Sequence, residues 1–185
     1  MRIIPPSEFK AMPWKNGGGI THEILKEERD GKLLWRLSIA EVASDGPFSL
    51  FPGLSRILTV IDGEGLVLQA PDHELRALPF SPVTFSGDLA ITSKRIGGDV
   101  RDFNVIFDDS IVAADVTVHD GLKITPSNNV TRFMLALENG FANGQRISAQ
   151  SLVVPDKPIE MTGRCLQVTF RKHYSAPASS LSTLR

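Results

Sequence analysis

The chain has 185 residues, 42% of them hydrophobic and 22% charged, a composition that can bury a core and stay in solution. Its 20 Lys+Arg against 21 Asp+Glu leave a formal net charge of -1, which offers no broad attraction to nucleic acid or to an anionic membrane. A single cysteine, Cys165, excludes an intramolecular disulfide and a thiolate metal cluster, in keeping with a reducing, cytoplasmic setting.

The N-terminal Met1-Arg2-Ile3-Ile4-Pro5-Pro6 lacks the apolar run of a secretory signal, and no later stretch is long and apolar enough to span a bilayer. From there the chain reads as short β runs broken by Gly, Asp, Asn and Pro. Thr21 to Glu27 and Lys32 to Val42 flank Arg29-Asp30-Gly31, a hairpin signal. Ile57 to Ile61 and Leu66 to Gln69 flank Asp62-Gly63-Glu64-Gly65, predicting a second hairpin. Ile111 to His119 and Leu122 to Thr125 around Asp120-Gly121 predict a third. Arg132 to Leu137, Gln145 to Val154 and Arg164 to Lys172 complete the set.

No segment carries an apolar stripe at helical spacing, and 12 prolines with 15 glycines interrupt the chain too often for long helices. Many short strands with turns about every ten residues predict an all-β barrel or sandwich. A weak composition change at Asp108-Asp109-Ser110 divides the chain into 1–107 and 108–174, and the Ser/Ala/Pro-rich tail 175–185 is expected to be poorly ordered.

Four segments could carry chemistry. Trp14-Lys15-Asn16-Gly17-Gly18-Gly19 ends in three glycines whose amides can cradle an anion, with Lys15 adding charge, or can simply form a turn. On the strand Leu33 to Val42, Trp35, Leu37 and Ile39 share one face, and Arg36 and Ser38 the other. Those two point either to solvent or into a polar lumen, where a guanidinium beside a hydroxyl suits a carboxylate. Phe48 and Phe51 sit in a Pro/Gly-rich loop that would plug a barrel end, and Arg56 follows as a second candidate anion anchor. Asp102 and Asn104 share one strand face, placed to hold an amine or amide of a ligand or to cap neighbouring backbone. His22, His73, His119 and His173 form no His-x-His or His-x-x-x-His pair, so no metal-binding cluster is expected.

Trp14 to Gly19 with Thr21 and Glu23, Trp35 to Ala40, Asp45-Gly46-Pro47-Phe48-Ser49, Phe51-Pro52-Gly53, Arg56 with Leu58-Thr59, and Gly98 with Arg101 to Val105 resemble the motif blocks of the HutD/Ves family, in order and spacing. The resemblance covers roughly the first 107 residues; beyond Asp108 it rests on continuity. It implies a bicupin, two stacked jelly-roll barrels in one chain without the usual metal ligands or any cofactor. It also implies a role in histidine utilisation, binding or regulatory, with a formylglutamate-type ligand.

The resulting expectation is a small anionic metabolite as partner, held by Trp14, Lys15, Asn16, Gly17, Gly18, Gly19, Thr21, Arg36, Ser38, Phe51, Arg56, Asp102 and Asn104, with a homodimer as an open option. The competing expectation is a metal-independent isomerase, epimerase or hydrolase of a small acid. Its general base would be Glu23 or Asp102, and Lys15 its acid or oxyanion stabiliser.

Overall fold

The computed structural model describes residues 1–15 and 17–173; Asn16 and residues 174–185, which include the tail 175–185, lie outside the described residues. Among the described residues there are seventeen strands and one 3-10 turn (Pro6–Glu8). The first half holds β1 (Arg2–Ile4), β2 (Lys10–Pro13), β3 (Gly19–Arg29), β4 (Lys32–Val42), β5 (Gly46–Pro47), β6 (Ser55–Asp62), β7 (Leu66–Gln69), β8 (Glu74–Ala77), β9 (Val83–Ser86), β10 (Thr92–Arg95) and β11 (Val100–Phe107). The second holds β12 (Val112–Ile124), β13 (Val130–Ala136), β14 (Gly140–Ala142), β15 (Gln145–Ile147), β16 (Leu152–Val154) and β17 (Ile159–Lys172). No helix among the described residues is long and apolar enough to cross a membrane.

The strands form three sheets. A six-stranded sheet, β2-β3-β4-β11-β6-β9, faces a four-stranded sheet, β5-β10-β7-β8, and the two close the first barrel. A seven-stranded sheet built on β12, β13, β16 and β17 forms the second. One strand does not follow the division at 107/108: β1 pairs antiparallel with β16, so residues 2–4 belong to the second sheet.

The central strands β4, β11 and β6 of the six-stranded sheet are buried on both faces, which explains why they mix apolar and polar residues without a solvent side. Leu37, Ile39, Ile57, Phe103 and Val105 pack against Phe133, Leu135, Leu166, Val168 and Phe170 of the second sheet. Trp35 anchors this interface, its ring 5.1 Å from both Phe133 and Phe170. On the opposite face Ala40, Leu58, Val60 and Val100 pack with Leu66, Leu68 and Ala77 inside the first barrel. Burying such side chains stabilises the fold by about 1.5–3 kcal/mol each.

Thr59 is the exception on the interface side. It is fully buried opposite Phe103, and its hydroxyl has no hydrogen-bond partner in the protein. A desolvated hydroxyl is costly, so Thr59→Val is expected to raise stability by about 1 kcal/mol, read as a higher thermal unfolding midpoint. A lower midpoint would show that the hydroxyl is satisfied in solution.

Turn chemistry succeeds at one Asp-Gly pair and misleads at another. Asp30 (φ 50°) and Gly31 (φ 73°) both adopt left-handed conformations between β3 and β4, the two-residue hairpin that the sequence predicts. Asp120-Gly121 is not a turn. β12 runs straight through it along β17, and Gly121 (φ 75°) faces Thr162 and Gly163 (φ 83°) in a bulge. The hairpin expected at residues 62–65 is also absent: β6 stays in the six-stranded sheet, while β7 pairs with β8 and β10 in the other. Gly63 (φ 91°) and Gly65 (φ 130°) turn this corner where no Cβ fits, since one would lie 2.6 Å from Asp99 O or 2.8 Å from Ala77 O. The expected strand 145–154 is likewise split into β15 and β16, with Gln150 at φ 63° between them.

Candidate functional site

Cross-strand register assembles the site. Directly paired residues share a sheet face, so three rows cross the lumen side of the six-stranded sheet. The first row is Lys26, Arg36, Ile106, Arg56 and Phe85; the second is Lys10, Glu23, Ser38, Asn104 and Leu58; the third is Met12, Thr21, Ala40, Asp102 and Val60. The motif blocks around Thr21, Arg36, Arg56 and Asn104 thereby meet in a patch on one face of the first barrel.

The patch opens into a cavity of about 590 Å³ lined by Met12, Pro13, Trp14, Lys15, Thr21, Arg36, Ser38, Pro47, Phe48, Ser49, Phe51 and Asn104. Arg36 is half-buried, with its guanidinium 5.3 Å from the centre of the Phe51 ring and its Nε without a hydrogen-bond partner in the protein. Burial lowers its pKa, opposed by the charge of Glu23. Ser38 is 1% exposed, and its Oγ is likewise unpartnered. Trp14 forms a wall whose orientation is fixed, because its Nε1 donates to Thr21 Oγ1 at 2.8 Å.

Arg56 does not line the cavity. It is 6% exposed and sits among three rings, 5.2 Å from Phe48, 5.3 Å from Phe51 and 5.0 Å from Phe85. Its Nη2 donates to Asn104 Oδ1 at 2.8 Å, and Asn104 Nδ2 donates to Asp102 Oδ1 at 2.5 Å. This chain fixes the amide of Asn104, which is the member that reaches the cavity. Asp102, 1% exposed, lies behind it with Oδ2 unpartnered. Burial drives the Asp102 pKa up to about 7, against the opposing effects of Arg56 and the Asn104 hydrogen bond. Burial drives that of Arg56 down to about 10, with Asp102 opposing and Arg36 adding to the shift.

The glycine run shapes the segment around Trp14. Gly17 (φ 71°) donates its N–H to Trp14 O at 3.0 Å, and Gly19 O accepts from Trp14 N at 2.9 Å, so the run is a tight turn around Trp14. A Cβ on Gly19 would fall 2.2 Å from Glu41 O and 3.1 Å from the indole, which needs bare backbone beneath it. Lys15 is exposed at the cavity mouth. Glu23, the cross-strand partner of Ser38, is half-buried beside Arg36 but does not line the cavity. Asn16 lies outside the described residues. The lining residue Met12, and Phe85 above Arg56, carry no local signal in the sequence, because strand pairing alone brings them in, whereas Pro13, Pro47 and Ser49 adjoin or belong to its motif blocks.

Two stacked β-barrels in one chain, the first enclosing a cavity floored by an arginine, a serine and an asparagine, define a protein of bicupin type. A family model described as HutD matches residues 6–160, and the chain belongs to that family. An uncharacterized 21.2 kDa protein in the hutC 3′ region of Pseudomonas putida is 37% identical over 139 residues, 74% of this chain and 73% of that protein. The structure of HutD from Pseudomonas fluorescens SBW25, solved in a formate condition, is 29% identical with a TM-score of 0.82, covering 93% of this chain and 98% of that one. The bacterial pirin YhhW of Escherichia coli, in complex with nickel(II), shares the fold at 6% identity, with a TM-score of 0.63 over 92% of this chain and 98% of its own. The donor set for such a metal is missing here: among the described residues no three His, Cys, Asp or Glu side chains are grouped to hold an ion.

Proposed function

We propose that the protein binds a small acidic metabolite in the first barrel and acts as a binding or regulatory component of histidine utilisation, with a formylglutamate-type acid as ligand. The observation that carries this reading is the floor of the cavity. Arg36 Nε and Ser38 Oγ are desolvated without partners, beside the fixed amide of Asn104. Buried polar groups are normally satisfied, and a carboxylate accepts from a guanidinium and a hydroxyl at once. Trp14, Phe48 and Phe51 supply apolar walls, and Lys15 adds charge at the mouth.

The catalytic alternative assigns its general base to a carboxylate facing the same space as Lys15. None lines the cavity among the described residues, since Asp102 is sealed behind Asn104. This supports binding over an isomerase, epimerase or hydrolase.

The experiment is a thermal-shift series with histidine, urocanate, formiminoglutamate, N-formylglutamate and glutamate, each with and without chelator. A ligand that binds only the folded state raises the unfolding midpoint in a concentration-dependent way. A chelator-insensitive rise with N-formylglutamate is expected. No rise with any acid would overturn the reading.

A further inference from the structure

Asp102 is an unusual residue to find beside an anion site. It contributes a negative charge to the lumen yet makes no contact with the cavity. Its surroundings leave little else to interact with it. On β11 itself the neighbour on the same face is Asn104, already bonded to it. From β6 comes Arg56, from β4 Arg36, and from β3 Glu23, with Ala40 and Val60 paired on either side. The four-stranded sheet presents Leu66, Leu68, Ala77 and Ser93, whose Oγ donates to Gly46 O. Arg95 at its end is held by Asp45 and Asp99.

Above about pH 7, where Asp102 is ionised, the buried and half-buried charges of this lumen balance before any ligand enters. Arg36 and Arg56 are two cations, and Glu23 and Asp102 two anions. Lys10 and Lys26 share the face but are exposed, Lys26 paired with Glu28. A ligand carboxylate beside Arg36 adds a third negative charge to a desolvated space, where an uncompensated charge is expensive. Lys15 can offset it only through solvent, because it is exposed at the mouth. A proton restores neutrality, and the geometry names its acceptor. Glu23 is half-buried and open to water, whereas Asp102 is sealed, with Oδ2 unpartnered and able to take a proton without breaking the bond from Asn104 to Oδ1.

We propose that Asp102 is a proton-holding positioning residue: it takes up a proton as the acid binds, and acts on the ligand only through Asn104 and Arg56. This rests on the acid-binding reading above. The step balances simply, at most one proton passing from solvent to Asp102 Oδ2 as the ligand carboxylate beside Arg36 is seated. Its direction follows from like-charge repulsion, since the incoming anion disfavours an ionised Asp102. The pKa of about 7 in the empty site then rises further in the complex. The acid therefore binds best below about pH 7, and its affinity falls by up to tenfold per pH unit above that, until the higher pKa of the complex is reached. The linkage selects against neutral ligands, which bring no charge to balance.

The test is isothermal titration calorimetry with N-formylglutamate as probe, in Tris and in HEPES at about pH 7.5, followed by a pH series. Buffers with different ionisation heats separate proton uptake from binding heat. The expected result is uptake of a substantial fraction of one proton by the wild type, with affinity falling as pH rises. Asp102→Asn should bind with neither feature. A wild type that binds without buffer dependence, or a variant that keeps the wild-type uptake, overturns the proton coupling alone. If the variant fails to fold, infrared difference spectra of the wild type decide: a protonated-carboxyl C=O band must appear on ligand addition, and its absence overturns the proposal. No binding of N-formylglutamate at any pH overturns instead the site reading on which the proposal stands.

Discussion

Arg36→Ala is expected to weaken binding of the acid ligand at least thirtyfold while leaving the fold nearly as stable as before. Truncating one partner of a buried, hydrogen-bonded charge pair costs about 2–5 kcal/mol of affinity, and each 1.4 kcal/mol is a factor of ten. The fold loses little, because Arg36 has no hydrogen bond from Nε and its charge is held at a desolvation cost. What it does give up is the packing of its guanidinium on Phe51 and its field at Glu23. Arg36→Lys separates charge from shape, since it keeps the cation but loses the fork that engages both carboxylate oxygens. It should bind between the wild type and the alanine variant. The measurements are a calorimetric Kd and the unfolding midpoint of each variant. Unchanged affinity in Arg36→Ala would remove the central contact of the site, and a collapse in stability would recast Arg36 as structural.

The reading of the sequence and the structure part company where range matters. Turn chemistry and two-residue alternation are local, so the hairpin at Asp30-Gly31 and the opposed faces of β4 could be read directly. The same local signal at Asp120-Gly121 has two physical solutions, a turn or a bulge, and only the long partner β17 decides between them. Nothing near Leu66 announces that β7 leaves one sheet for another, because the deciding contacts are the carbonyls of Asp99 and Ala77 behind Gly63 and Gly65.

The site was legible to a similar depth. Alternation placed Arg36 with Ser38 and Asp102 with Asn104, and their shared lumen face follows from the register of β4 on β11. Alternation does not tell which members reach the cavity. Arg56 and Arg36 look alike in sequence, yet the rings of Phe48, Phe51 and Phe85 enclose one, and the other faces open space. The triple glycine suggests an anion cradle through its amides, and the structure adds that Gly19 lets an indole lie on backbone.

That enclosure makes Arg56 the residue whose loss should harm the fold most, and in a pH-dependent way. Arg56→Ala leaves Asn104 Oδ1 without its donor and Asp102 without a counter-charge, inside a barrel that cannot admit water freely. Breaking a buried pair in this manner costs about 3–5 kcal/mol. The pH dependence has a definite sign. Burial raises the folded-state pKa of Asp102 to about 7, well above the ordinary carboxylate range, so the stability it contributes is fully present below the unfolded value and lost as pH rises through about 7. Removing Arg56 takes away the cation that holds this pKa down, so it climbs further in the variant. Below about pH 7 both proteins keep Asp102 protonated, and the variant loses only packing and a hydrogen bond. Above it the wild type ionises beside Arg56 and the variant cannot do so without penalty, so the stability gap widens by about 1.4 kcal/mol for each unit of added shift. Urea unfolding of both proteins at about pH 6 and about pH 9 measures the gap directly. Arg56→Met restores the lost volume between the rings and should keep the hydrogen-bond loss and the pH-dependent part, and adding Asp102→Asn should abolish the pH-dependent part. A gap of equal size at both pH values would mean that Asp102 and Arg56 are not electrostatically linked in the folded protein, and the charge balance of the lumen would have to be redrawn.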